Sequence, residues 1–293
     1  MNRKSIPMFL FTIIALLSST VSCGKNAKQE TTGITNDKNL PVFEKIILKA
    51  KDNDWKNLAI GQRMGKIGLE MLGIQYIGGT LEVEPEKCVI DMTGLDCVTF
   101  FENVLDIARI IGKEKYGYED LIKEVTFTRY RGGEITDYTS RLHYTADWIY
   151  DNIKKGVVKD ITKELGGEIF NLNLDFMSTH TQLYKALKDN RAFVEVTREI
   201  EKKISGREYY YIPKDKIESI EDKLQTGDIV AFATNTKGLD YSHIGLVYVD
   251  EQGKRRLLHA SSIKKKVVLD KTIHEYIKPI KKDIGITIVR STD

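Results

Sequence analysis

Residues 72–105 read LGIQYIGGTLEVEPEKCVIDMTGLDCVTFFENVL, a glycine-punctuated loop running into a stretch of helical periodicity with a cysteine at its mouth. After Asp96, the apolar residues Val98, Phe101, Leu105 and Ala108 recur at three- and four-residue intervals, and Gly112 can close the run. Cys97 therefore falls in the first helical turn. Unpaired N–H groups and the positive end of the helix dipole favour a thiolate there, and can pull a cysteine below its free pKa of about 8.5. Most cysteines near a helix start are inert packing, so Cys97 needs partners before it counts as a nucleophile.

Two partners lie far downstream: His243 in DYSHIGLVYVD and His259 in RRLLHASS. The alternation through HIGLVYV predicts a strand, DEQGK a turn, and RRLLHAS the returning strand of a hairpin. Histidines on paired strands can lie side by side. One can then take the thiol proton as a general base while the other orients its ring.

These residues resemble the NlpC-type cell-wall cysteine peptidases, a papain-like superfamily acting on peptidoglycan. The resemblance is carried by Leu72-Gly73 with Tyr76 and Gly78-Gly79, then Asp96-Cys97, His243-Ile244-Gly245 and His259-Ala260-Ser261, in that order. It implies that Cys97 is the nucleophile, His243 the base, His259 the third polar residue, and Tyr76 a hydroxyl near the oxyanion. Asp96 and Ser242, which flank these motifs, become candidates for substrate contact. DCVTF in place of the usual DCSGL, with a long insertion between helix and hairpin, narrows the likeness to the N-acetylmuramoyl-L-alanine amidase-like subfamily. Its members cleave the bond between the lactyl group of muramic acid and L-alanine. The fold so implied is α+β and papain-like: helices carrying the nucleophile, packed on an antiparallel sheet with the active site at the seam, and a large, mainly helical insertion over residues 117–225.

Within that insertion, Arg129, Arg131, Arg141 and His143 cluster with Tyr130, Tyr138, Tyr144 and Trp148. Arginine can hold a carboxylate through paired hydrogen bonds, and aromatic rings can cover a sugar face. Arg129, Arg131, Tyr138, Arg141 and His143 are therefore substrate-binding candidates, set against surface ion pairs and core packing as the plain alternative. His180 and His274 carry no motif and read as structural. With no HExxH, no paired CxxC and dispersed histidines, no metal and no cofactor is expected.

The chain has 293 residues, 41% of them hydrophobic and 30% charged, enough for one large domain over residues 41–293. A net charge of +3 argues against a nucleic-acid binder, and Lys264, Lys265 and Lys266 read as solvated surface. Arg3 and Lys4 precede a short apolar run and a small-residue segment that ends at Cys23, the pattern of an export signal over residues 1–23. Cys23 resembles a bacterial lipoprotein processing site, which implies a lipid anchor, a cell-envelope location facing the periplasm, and a tether over residues 24–40. The expected partners are muramyl peptides and the membrane, with the protein a monomer. Export also opens a reading in which Cys88 and Cys97 form a disulfide; otherwise Cys88 is a small buried hydrophobe. Alternative functions are a D-glutamyl-diamino acid endopeptidase, a non-catalytic muropeptide-binding lipoprotein, and an acyltransferase.

Along the body, residues 42–51, 60–72, 147–154 and 192–204 predict helices, and Thr179 caps another over TQLYKALKDN. Residues 208–212, IVAFAT and 284–290 predict strands.

Overall fold

A computed structural model describes residues 39–293. The export signal, Cys23 and the tether up to residue 38 lie outside the described residues. Asn39 and Leu40, expected in the tether, belong to the folded body. Asn39 is fully buried; its amide donates to the Ile90 carbonyl at 2.7 Å and its oxygen accepts from Met92 N–H at 3.0 Å. Leu40 opens α1 (Leu40–Asp52), with Pro41 in the first turn, where no backbone donor is required.

Helix α2 (Ile60–Glu70) lies against the sheet through its glycines. A Cβ at Gly61 would stand 2.3 Å from the Thr226 carbonyl oxygen, and one at Gly68 would stand 2.6 Å from the Leu258 side chain. Two short strands follow, β1 (Gln75–Tyr76) and β2 (Gly94–Leu95), paired in parallel with Tyr76 opposite Leu95. The chain then enters α3 (Cys97–Gly112). One apolar face was expected, but residues 99–111 are buried all round, Glu102, Asn103 and Asp106 included. The reason is position: α3 is wedged between the sheet and its neighbouring helices. It ends at Gly112 as predicted, where a Cβ would stand 2.6 Å from the Arg63 guanidinium and would require that side chain to shift.

The insertion runs through α4 (Tyr118–Arg129), α5 (Thr145–Lys154), β3 (Val158–Asp160), β4 (Glu168–Ile169), α6 (Phe176–Thr179), α7 (Lys185–Lys188), α8 (Arg191–Ser205), β5 (Tyr210–Pro213) and α9 (Ile217–Ile220). The single helix expected after Thr179 does not form. Thr179 closes α6 instead, its hydroxyl donating back to the Asp175 carbonyl at 2.6 Å, and extended backbone at Tyr184 limits the next helix to Lys185–Lys188.

The C-terminal half supplies β6 (Ile229–Thr234), β7 (Tyr241–Val249), β8 (Arg255–Ser261), β9 (Lys266–Thr272), α10 (Ile273–Ile277) and β10 (Asp283–Ser291). Among the described residues these complete a ten-stranded sheet in the order β2-β1-β9-β8-β7-β6-β10-β5-β4, with β3 also on β10. The β1–β2 pair alone is parallel. The insertion thus contributes strands to the same sheet rather than only helices around it. Strand β9 follows directly from the lysine run that reads as solvated surface; Lys266 is exposed while Val267 and Asp270 are buried.

Candidate active site

The parallel β1–β2 pair aims the chain at the start of α3. Asp96 caps that helix, accepting from Thr99 N–H at 2.8 Å, while the Thr99 hydroxyl accepts from Asp96 N–H at 2.9 Å. This reciprocal capping satisfies two otherwise orphaned donors and holds Cys97 as the first helical residue. Asp96, a substrate-contact candidate, spends Oδ1 on the cap. The Cys97 thiol, partly exposed, meets the N–H groups of Cys97, Val98 and, from β7, Ile244. Cys88 and Cys97 are both free thiols, so the disulfide reading is overturned, and Cys88 is buried in the core.

Pairing of β7 with β8 brings the two histidines together, with His243 Nε2 at 2.6 Å from His259 Nδ1 and the rings edge to face at 4.8 Å. His259 is fully buried, and its Nε2 makes a longer 3.5 Å contact with Asp270 Oδ2. Asp270 on β9 also receives the Lys264 ammonium at 2.8 Å. Tyr276 on α10 stacks on His243 at 5.9 Å and meets His259 edge-on at 5.1 Å. The hydrogen-bond chain sets the tautomers. If His259 Nε2–H donates to Asp270, His259 Nδ1 must accept, so His243 Nε2–H donates and His243 Nδ1 carries the free lone pair.

The electrostatics correct one expectation. Burial, reinforced by the Asp96 carboxylate, pushes the Cys97 thiol up to about 12, outweighing the three N–H groups that favour its thiolate. His243 is pushed down to about 3 by burial and by His259, and His259 to about 4 chiefly by burial. The resting pair is a neutral thiol and a neutral imidazole. Tyr76, half-buried on β1, is pushed up to about 12, chiefly by burial, with Cys97 and Asp96 beside it acting in the same direction, so it keeps its proton as a donor.

Cys97 and His243 line one cavity of about 200 Å³, together with Ser242, His143, Tyr144 and Asp240. Ser242 and His143 were both among the predicted contacts. The Ser242 hydroxyl donates to Asp283 at 2.6 Å, and His143 Nε2 lies 2.8 Å from the Tyr138 carbonyl. Asp240 accepts from Ala146 and Tyr241 N–H, each at 2.8 Å, and so ties the start of α5 to β7.

The arginines do not converge on this cavity. Arg129 is a core residue, 2% exposed, paired with Glu102 at 2.8 Å and bound to the Val89 carbonyl at 2.5 Å. Arg141 is buried against Glu82 at 2.9 Å and Glu86 at 3.4 Å. Arg131 pairs with Asp147 at 2.6 Å. Tyr138 is buried behind His143, with ring centroids 4.3 Å apart. Buried carboxylates claimed these cations, and sequence spacing does not reveal long-range pairing. Sequence reasoning also missed Asp270 and Tyr276; the valine-led apolar run Val267-Val268-Leu269, leading into Asp270 eleven residues after His259, was the available signal for a further strand there. Among the described residues, no group of three or more His, Cys, Asp or Glu side chains is arranged to hold a metal.

A family model described as N-acetylmuramoyl-L-alanine amidase-like matches residues 66–286. The crystal structure of an N-acetylmuramoyl-L-alanine amidase from Bacteroides uniformis ATCC 8492 superposes with a TM-score of 0.75 at 36% identity, covering 80% of this chain and 99% of that one. A Bacteroides fragilis protein provisionally named a xylanase gives 0.72 at 40% identity, covering 76% and 98%. A Legionella pneumophila protein, 20% identical with a TM-score of 0.68 over 88% and 95% of the two chains, shares the fold. No curated protein matches.

Proposed function

Because this chain belongs to the N-acetylmuramoyl-L-alanine amidase-like family of peptidoglycan hydrolases, we propose that it is a cysteine amidase cutting the bond between the muramic acid lactyl group and L-alanine. The observation carrying this reading is that Cys97 and His243 line one cavity while the far nitrogen of His243 is held 2.6 Å from His259. The Cys97 proton passes to His243 Nδ1 as sulfur attacks the lactyl carbonyl, forming the C–S bond. The N–H groups around Sγ, with the Tyr76 hydroxyl, stabilise the oxyanion. Collapse breaks the C–N bond, and His243 returns the proton to the alanine nitrogen. Water, deprotonated by the same imidazole, hydrolyses the thioester to a lactyl carboxylate and regenerates the thiol. His259 and Asp270 act as positioning residues for His243.

The order of cysteine, base and third polar residue also supports placing the family with the NlpC-type papain-like enzymes. Glycoside hydrolysis, suggested by the name of the Bacteroides fragilis relative, uses two carboxyl groups across the cleft. Among the described residues Asp240 is the single carboxylate lining this cavity, and it is held by two backbone amides. Export and lipidation at Cys23 complete the proposal, placing the enzyme at the cell envelope; radiolabelled fatty acid incorporated by the wild type and lost in Cys23→Ala checks it.

The deciding experiment is mass spectrometry of a defined muramyl tetrapeptide incubated with the protein lacking residues 1–23, beside Cys97→Ala. The expected product is the intact tetrapeptide, released by the wild type alone. Turnover by Cys97→Ala would falsify the nucleophile assignment, and a dipeptide product would move the cut to the D-glutamyl bond.

A further inference from the structure

A second cavity, of about 450 Å³, adjoins the first, lined by the loop between β1 and β2, residues 136–138, α7 and the start of α8. A pair of packed side chains stands between the two. His143 of the first packs on Tyr138 of the second at 4.3 Å, and Tyr184 of the first is followed directly by Lys185 of the second.

The second cavity is acidic: Glu84, Glu86, Asp137 and Asp189 line it against the single cation Lys185. Lys185 lies 3.5 Å from Glu84, and Asp137 Oδ1 is engaged by Thr139 at 2.8 and 2.7 Å. Two deeper groups are incomplete. The Glu86 side chain is 4% exposed; its Oε1 accepts from the Tyr130 hydroxyl at 2.7 Å and lies 3.4 Å from the buried Arg141 Nε, while Oε2 has no hydrogen-bond partner in the protein. Tyr138 is 4% exposed, and its hydroxyl is likewise unpartnered. A buried polar atom without a partner costs about 1–3 kcal/mol, and both of these belong to side chains that line the cavity. The acids do not converge as a metal cluster. Phe193 and Tyr138, stacked with centroids 6.4 Å apart, instead provide an apolar wall. Carboxylates beside an apolar wall suit an alkyl arm ending in an ammonium.

We propose that this cavity binds the side-chain ammonium of the diamino acid in the stem peptide, with Glu86 and Asp189 as its carboxylate partners. The proposal rests on the amidase reading for where the peptide starts. An extended chain covers about 3.3–3.6 Å per residue, so the third stem residue lies about 10 Å from the scissile amide, within reach of the neighbouring cavity. Burial holds the Glu86 carboxyl above the usual carboxylate range, and an ammonium at Oε2 reverses that effect by favouring its charged form.

The test compares two muramyl tripeptides, one with a free side-chain amine on the third residue and one with that amine acetylated. In the wild type, acetylation should lower kcat/KM about tenfold, mainly through KM, as expected for the loss of a charge-assisted contact. Glu86→Gln and Asp189→Asn should each bring the ratio between the two substrates towards one. Asp189 lies in the exposed link before α8, so its variant tests the idea without disturbing the Glu86–Tyr130–Arg141 contacts. A wild-type ratio near one, or a ratio unchanged in both variants, overturns the proposal. If neither substrate is cleaved, the amidase reading has failed, and calorimetric titration of the two intact compounds decides the cavity separately. Tighter binding of the amine form, lost in Glu86→Gln, sustains it; equal binding or none overturns it.

Discussion

At the residue scale, the proposed nucleophile and base work against their surroundings. The helix N-terminus around Cys97 favours a thiolate, yet burial and Asp96 win and keep the thiol protonated. Iodoacetamide alkylation of Cys97 should therefore climb about tenfold per pH unit through pH 9 instead of levelling off near neutrality. A plateau below pH 7 would mean a resting thiolate–imidazolium pair, and Cys97→Ala supplies the background from Cys88. The proposed positioning residues are graded by their distance from Cys97 along the hydrogen-bond chain. His259→Ala should lower kcat/KM by roughly 10²-fold, within the usual range for acid–base groups, because His243 loses its 2.6 Å partner. Asp270→Asn should cost about tenfold, since an amide oxygen can still accept from His259 while its charge is gone. Equal losses in the two variants, or none, would remove the relay. The motif residues Cys97, His243 and His259 were legible because short local patterns surround each. Asp270 and Tyr276 carry no such pattern; they reach the site only through the fold of β9 and α10.

At the scale of elements, α3 ties chemistry to stability. Its reciprocal Asp96–Thr99 cap makes Asp96→Ala cost about 1 kcal/mol, measurable as a lower urea midpoint, with a further loss of turnover as Cys97 shifts. Arg129 couples α4 to α3 through the buried Glu102 ion pair. Arg129→Ala should destabilise by about 3–5 kcal/mol by stranding that carboxylate, and soluble folded protein with only a raised KM would restore the substrate-binding role. The glycines of α2 are equally structural. Gly61→Ala forces its new Cβ against the Thr226 carbonyl at 2.3 Å. The helix must move off the turn that leads into β6, at a cost of about 1–3 kcal/mol by denaturant unfolding. Most of these elements were visible as hydrophobic periodicity. The segment after Thr179 was not: its backbone is extended at Tyr184, which lines the cavity, and the helix expected there is split around it.

Across the whole molecule, His143, His243 and His259 are all held neutral, at about 3, 3 and 4, with burial as the leading cause. Their folded pKa values lie below the unfolded value of about 6.5, so an unfolded chain takes up protons first as the pH drops. The stability they contribute is complete above that value and is lost towards pH 4. Buried carboxylates such as Asp240, raised to about 6 by burial, work in the opposite direction, so the histidine share is read from a difference. The stability gap between wild type and His143→Gln should narrow by about 2 kcal/mol between pH 7.5 and pH 5, followed by urea titration at each pH; a constant gap would mean that His143 titrates normally. The α+β division, the helix that starts at Cys97 and the histidine hairpin were readable from local patterns, because periodicity, capping and turn chemistry act over a few residues. The protonation of the proposed nucleophile and base, the Asp270 contact to His259, and the fate of the insertion's arginines emerge only on folding. Those depend on burial and on partners from about eleven to dozens of residues away, which no local pattern encodes.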